Sequence, residues 1–294
     1  MPIPARRFAV RVSTVAARSG VFDAGAPITH MNEPASIARI PLPVETRAPG
    51  GETNAYVVGE TQGVLVDPAA RSPALDRAAD AWTVSDVLVT HAHPDHVGSV
   101  AAYAARTDAT VWAHENYRER FARATGVGPD RTFADGTSIG SADSEATVTV
   151  LETPGHAPDH VALATEAGIL VGDLAVASGS VAITAGEGHL ASYLDSLRRL
   201  RERSPRRLFP AHGPVIDDPE GTLTRLIDHR AERERRIREA ITGGARDLAA
   251  ITDAAYEKDV SGVRDLAEGT VAAHVEKLAA EGAVTWDGER ATPT

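Results

Sequence analysis

No cysteine occurs among the 294 residues, which excludes a disulfide framework, thiolate zinc sites, iron–sulfur clusters and a cysteine nucleophile. Any metal site has to be made of imidazole and carboxylate, so the eleven His gain weight. Lysine is nearly absent as well. Lys258 and Lys277 are the only two, leaving 28 Arg among 30 basic residues against 41 acidic ones and a formal net charge of -11. Such a balance suits adaptation to strong salt, where screening shortens repulsion, and equally a GC-rich genome that favours Arg and Ala codons. An acidic surface argues against broad binding to duplex DNA, although a local Arg cluster can still meet a phosphate chain. Long apolar runs are missing too. The longest uncharged stretch of the second half, residues 174–186, is rich in Ala, Ser and Gly, and it is well short of the roughly 18 apolar residues of a membrane helix. The expectation is a soluble, cytoplasmic chain, 43% hydrophobic, that buries one or two cores.

Residues 1–30 carry Arg6, Arg7, Arg11 and Arg18 ahead of the first acid, Asp23, and hold no apolar run that could serve as a signal peptide. They are expected to be an over-long gene start or a disordered arm, with the natural start at Met31, the only other methionine. From Ile37 to Pro210 short β-branched runs alternate with helical stretches. Strands are expected at residues 56–58, 64–66, 87–90, 110–112, 147–151, 161–164 and 169–171, and helices at 73–81, 97–106, 115–124 and 190–203. The class is layered α/β. Strands arriving in consecutive pairs, early and again around 147–171, point to two sheets packed face to face under helices rather than one doubly wound sheet. After Pro219 the pattern becomes helix after helix, at 219–241, 247–257 and 266–281, with a strand-like tail at 283–286. Val271, Val275 and Leu278 share one side of the third helix, and Gly282 stands where a left-handed cap is favoured. Domains over 31–218 and 219–294 follow, the second in the helix, helix, helix, hairpin order of a winged helix. The Arg/Glu run at 230–239 reads as a solvated helix face with i,i+4 pairs.

Chemistry concentrates in Thr90-His91-Ala92-His93-Pro94-Asp95-His96, directly after the apolar run Val87 to Val89. Alternation at a strand end sends His91 and His93 to the same side, and the turn begun by Pro94 lets Asp95 and His96 point back into that space. Imidazole and carboxylate suit Zn(II), with Fe(II) and Mn(II) as alternatives. Three further residues of ligand type, His156, Asp173 and His212, each stand in a loop after an apolar run. Together they give His91, His93 and His156 for one metal, Asp95, His96 and His212 for a second, and Asp173 as a bridge. Each metal then keeps an open position, as a catalytic rather than a structural site does. Two dications about 3.5 to 4 Å apart would share a water, lower its pKa and hold a scissile carbonyl or phosphoryl oxygen.

This HxHxDH pattern with its later His, Asp and His resembles the metallo-β-lactamase superfamily over roughly residues 37–216. The resemblance implies an αββα sandwich with two Zn2+ at one edge, Asp95 and His96 in the catalytic role, and a bridging hydroxide attacking an ester, thioester or phosphodiester. Asp67 in Val66-Asp67-Pro68 matches the superfamily's first motif, and it and His160 take supporting places behind the ligands. His30, His114, His189, His229 and His274 lack such context and are expected to be structural or surface residues, with His189 the one to watch because the Gly-rich loop 175–188 follows Asp173.

The same centre serves several substrates, so other features must choose among them. Absence of Cys argues against zinc β-lactamases with a Cys ligand, His93 argues against flavodiiron proteins, and neither Lys follows a Ser at S-x-x-K spacing. Thr53-Asn54-Ala55-Tyr56, the segment 153–160, residues 210–216 and the C-terminal stretch are similar to the beta-lactamase-like protein 2 group, with a glyoxalase II-like core and a small winged-helix cap. That group includes an endoribonuclease on single-stranded RNA, while relatives of similar length hydrolyse thioesters. From His229 to Thr294 there are 10 basic and 13 acidic residues, which favours a packing cap or substrate wall over a DNA reader. Three functions therefore stand: a phosphodiesterase on single-stranded RNA, a small-molecule thioester or lactone hydrolase, and a metal-stabilised nucleic-acid-binding regulator without turnover. The complete ligand set favours an enzyme, with no membrane partner, and nothing in the sequence sets an oligomeric state.

Overall fold

Strands that are apolar at nearly every position need cover on both faces, and the architecture supplies it. A computed structural model describes residues 37–59, 62–140 and 147–294. The extension expected over residues 1–30, the start expected at Met31 and His30 lie outside the described residues. The strands are β1 (Ile37–Pro43), β2 (Glu52–Gly59), β3 (Gly63–Val66), β4 (Val84–Leu88), β5 (Thr110–His114), β6 (Arg131–Phe133), β7 (Ser138–Ile139), β8 (Val148–Glu152), β9 (Val161–Thr165), β10 (Gly168–Gly172), β11 (Leu208–Pro210), β12 (Val284–Trp286) and β13 (Ala291–Pro293). The helices are α1 (Pro73–Ala81), α2 (Pro94–Val97), α3 (Val100–Thr107), α4 (Arg118–Thr125), α5 (Leu190–Glu202), α6 (Pro219–Thr242), α7 (Leu248–Ala255) and α8 (Arg264–Ala280).

One sheet has the order β1-β2-β3-β4-β5-β6 and the other β11-β10-β9-β8-β7. Strand alternation divides each strand between two cores. Tyr56, Val58, Val64, Val66 and Leu88 meet Val148, Val150, Val161, Leu163 and Leu170 between the sheets. Their neighbours Ala55, Val57, Leu65 and Val87 face outward onto Leu75 and Ala78 of α1 and Val100 and Tyr103 of α3. On the far side Leu151, Ala162, Ile169 and Val171 pack under Leu190, Leu194 and Leu197 of α5 and Leu223 and Leu226 of α6. The result is a four-layer αββα sandwich.

A further core joins Ile237 and Ile241 of α6, Ile251 of α7, Val271, Val275 and Leu278 of α8, and Val284 and Ala291 of the antiparallel β12/β13 pair. Long α6 thus seats its first half on the sandwich and its second half in this core. Helix α8 ends as the sequence indicates, with Gly282 at φ 72 and the Ala283 N–H donating to the Leu278 carbonyl at 2.9 Å. The Arg/Glu run on α6 is less solvated than expected. Arg235 and Arg236 do pair with Glu232, but Arg230 is 2% exposed and Arg233 lies 3.6 Å over the Tyr256 ring. A helix packed on two cores turns part of even a charged face inward, and the aliphatic stem of Arg tolerates that. Among the described residues no helix is long and apolar enough to cross a membrane.

Candidate metal centre

The parallel pairing of β3 with β4 brings the residues that follow each strand to one edge of the sandwich. After β4 come Thr90, His91 and His93, and Pro94 opens the short helix α2 that carries Asp95 and His96. The opposite sheet contributes His156 from the loop after β8, Asp173 directly after β10 and His212 shortly after β11. All seven side chains expected as ligands come together here, in the groups His91/His93/His156, Asp95/His96/His212 and His91/His96/Asp173.

Nδ1 of His93 lies 2.9 Å from His91 Nε2 and 3.0 Å from His156 Nε2. Ligand nitrogens at 2.0–2.1 Å around a tetrahedral zinc stand about 3.3 Å apart, so this triad needs only a slight opening to hold one. Asp173 spans the two groups. Its Oδ2 is 3.4 Å from His156 Nε2, and its Oδ1 is 3.3 Å from His212 Nε2 and 3.8 Å from His96 Nε2. Asp95 faces His96 Nε2 at 3.9 Å and His212 Nε2 at 3.8 Å. Among the described residues, buried His96 Nε2 and Asp173 Oδ1 have no hydrogen-bond partner, and leaving such atoms bare is costly unless a cation occupies the space between them. The donor set therefore fits divalent metal.

Each histidine turns its other ring nitrogen toward a partner of its own. His91 Nδ1 meets Thr90 Oγ1 at 3.1 Å, His93 Nε2 meets Glu187 at 3.1 Å, and His96 Nδ1 meets Asp67 Oδ2 at 3.1 Å. His156 Nδ1 points at the Ala182 carbonyl at 2.9 Å and His212 Nδ1 at the Glu52 carbonyl at 2.8 Å. Such outer bonds fix ring tautomer and direction. Asp67, at φ 50, also accepts from the Thr90 N–H at 2.7 Å and its hydroxyl at 2.8 Å, and so steadies His91 and His96 together. His160 stands behind Asp173, accepting its backbone N–H at 3.1 Å while its Nδ1 sits 2.9 Å from Thr153 Oγ1.

Burial pushes His91 well below the usual imidazole value, and neighbouring imidazoles push it further. The same two causes bring His160 down to about 3, so its Nε2 remains a bare acceptor. Burial also opposes charge on His96, but the carboxylates of Asp67, Asp173 and Asp95 outweigh it and lift the ring to about 9. Asp173 shows the converse: burial disfavours its carboxylate, yet His212, His96 and His156 hold it far below the usual range. One expected consequence concerns Asp67→Asn, which keeps an acceptor for the Thr90 N–H but sets an amide against the donors of His96 and Thr90. Affinity for the metal at His96 should fall about 10- to 100-fold, as read by chelator competition on a protein of unchanged circular dichroism. Wild-type affinity would mean that Asp67 only shapes the loop.

Several neighbours of the centre carry no sequence signature. Thr46, between β1 and β2, bonds Asp95 Oδ2 at 2.6 Å. Asp159 accepts the Ala92 N–H at 3.0 Å and faces Arg120 Nε at 3.1 Å, and Arg120 in turn pairs with Glu187. His189, watched for its loop, instead caps α5 through Ser192, and it is Glu187 of that loop that reaches His93. Residues this far apart and of such ordinary type announce themselves only once folded. Two cavities flank the cluster. One of about 420 Å³ is lined by His93, Pro94, Arg120, Arg123 and Glu187, the other of about 610 Å³ by Val44, Thr46, Ala70, Pro94 and Asp95.

A family model described as the metallo-beta-lactamase superfamily matches residues 48–212. The beta-lactamase-like protein 2 homolog of Drosophila melanogaster is 34% identical over 166 residues, covering 53% of each chain. The lactamase-like protein nscB of Trichophyton rubrum is 35% identical over 202 residues, 65% of this chain and 58% of its own. The chain thus spans little more than half the length of these curated relatives. An atrochrysone carboxyl ACP thioesterase of Aspergillus fumigatus is 28% identical over 214 residues, 69% of this chain and 64% of its own. Among solved structures, a beta-lactamase domain protein from Burkholderia ambifaria superposes with a TM-score of 0.74 at 22% identity, covering 88% of this chain and 91% of its own. That likeness extends the shared fold through the C-terminal helices.

Proposed function

The chain belongs to the metallo-beta-lactamase superfamily, whose model covers more than half of it, and from that premise we propose that it is a dinuclear metal-dependent hydrolase of a small-molecule thioester. The observation that carries the two-metal reading is the Asp173 carboxylate, one oxygen toward His156 and the other toward His96 and His212. Zinc is the metal this all-His/Asp donor set favours, with Fe(II) and Mn(II) as alternatives. When bound, the metals would act as Lewis acids on the scissile carbonyl and make water nucleophilic near neutral pH.

The chain's own part is orientation. Asp95 and His96 sit on the short helix α2, where Thr46 and Asp67 aim them inward. The two cavities leave room for the halves of a substrate on either side of the cluster, one edged by Arg120 and Arg123, the other by Val44 and Ala70. Thioester chemistry is favoured because one relative is named an ACP thioesterase. We read residues 219–294 as a winged-helix-like cap that walls the centre. Eight residues of α8 are buried, among them His274 and Val275 at its middle, so that helix is packed away rather than offered to a DNA groove.

Thiol release tests the reading. The chain has no cysteine, so a thiol reagent detects product without background from the protein. Metal-loaded protein in molar KCl should release thiol from acyl thioesters of coenzyme A or N-acetylcysteamine, and dialysis against chelator should abolish it. Cleavage of end-labelled single-stranded RNA or of a lactone, without thiol release, would overturn the substrate assignment.

A further inference from the structure

The loop between β10 and α5 does two jobs at once. On its inner side the Ala182 carbonyl takes the Nδ1–H of His156 at 2.9 Å, and Glu187 faces His93 Nε2 at 3.1 Å. On its outer side it is held by the C-terminal helices. Arg230 of α6 donates to the Val181 carbonyl, and Arg225, a little over one turn earlier, donates to the carbonyls of Gly179 at 2.6 Å and Val176 at 2.9 Å. From α8 the Gly269 carbonyl accepts the Ala185 N–H at 3.0 Å. Val181 and Ile183 are buried in the core they share with Leu223, Leu226 and Ala273.

Arg230 is the unusual member of this set. An arginine 2% exposed is costly to bury, and its guanidinium lies 5.5 Å over the Tyr193 ring, with Nε unpartnered among the described residues. Its carbonyl partner belongs to the residue directly before Ala182. Two consecutive carbonyls are therefore each held, one by Arg230 of α6 and one by a candidate ligand. Planar, rigid peptide units transmit such a constraint directly.

We propose that Arg230 is a positioning residue of the metal centre: gripping the Val181 carbonyl, it sets the Ala182 peptide that aims His156. The C-terminal region then works on the centre through this loop. The inference rests on the metal-centre reading above and on no particular substrate.

Cobalt(II)-loaded full-length protein provides the test, with chelator competition for affinity and proton NMR for the hyperfine-shifted imidazole N–H signals. Arg230→Met should lower affinity for one of the two metals about tenfold, as loss of an outer partner does. It should also broaden one imidazole N–H signal through solvent exchange, the same signal that His156→Gln abolishes, and lower kcat more than KM. Arg230→Lys, which restores a donor, should recover part of each effect. Should Arg230→Met not fold, Gly269→Ala serves, because a Cβ there would stand 3.0 Å from Thr184 Cγ2 and press on the loop. Alanine is the better helix former, so α8 itself gains while the His156 signal broadens and affinity falls. Folded variants with wild-type affinity and an unaltered His156 signal would overturn the proposal and leave the metal centre standing. A wild-type chain that takes up no cobalt would remove both.

Discussion

Replacing Asp95 with alanine is expected to remove one of two bound metals and lower kcat/KM by on the order of a thousandfold, about 4 kcal/mol of transition-state stabilisation. Asp95 is the carboxylate that belongs to the His96/His212 group alone, since Asp173 also faces His156. Without it that group keeps two imidazoles and a shared oxygen, too little charge to hold a second dication close to the first. The fold should survive, because the carboxylate is partly exposed and, among the described residues, its one hydrogen bond comes from Thr46. Metal analysis after gel filtration and initial rates with a thioester read the two effects separately. Glu276→Ala, an exposed change on α8, should alter neither. An Asp95→Ala protein holding one metal at full activity would end the two-metal reading.

Why was so much of this architecture legible in one sequence? The seven strands expected between residues 56 and 171 correspond to β2, β3, β4, β5, β8, β9 and β10, all interior to their sheets. Interior strands are covered on both faces and must be apolar throughout, which is a strong pattern. The four sandwich strands that the sequence pattern does not mark, β1, β6, β7 and β11, are the four edges. Edges tolerate what interior strands reject: β1 contains Pro41 and Pro43, and β6 and β7 are three and two residues long.

The centre divides in the same way. Four of its side chains fall within six residues after a strand, and the other three follow apolar runs, so spacing alone nominates them. Their supports do not. Glu187 meets His93 across 94 positions and Thr46 meets Asp95 across 49, and contacts so distant along the chain leave no local pattern for either. Arg230 departs from the solvated face expected of its run for a related reason. Its neighbours do form solvent-side pairs with Glu232 and Glu239, and composition cannot tell which arginine of a run turns inward. Burial at a junction of two cores is a property of the packing.

Gly155→Ala is expected to be the most damaging single methyl added to the chain. Gly155 stands directly before His156 at φ 138, outside the range alanine adopts without strain. A Cβ there would lie 2.6 Å from Tyr193 Cβ and closer still to the Tyr193 backbone N and Cα. Those are helix atoms of α5, which cannot swing aside as the end of a flexible side chain could. Gly155 also accepts the His189 N–H at 2.8 Å, and Tyr193 is tied to the Leu174 carbonyl at 2.9 Å. The loop must therefore lift off α5 and carry His156 with it. Backbone strain and overpacking together should cost on the order of 3–5 kcal/mol, a melting temperature lower by about 10 °C for a chain of this size. Gly126→Ala separates the two causes: φ there is 77 with nothing among the described residues within 4 Å of the added carbon, so strain alone should cost about 1 kcal/mol. The thermal gain from added zinc should persist in Gly126→Ala and shrink in Gly155→Ala, because only the second displaces His156, a proposed ligand. Equal losses in the two variants, with the zinc increment intact in both, would show that the His156 loop is not braced against α5.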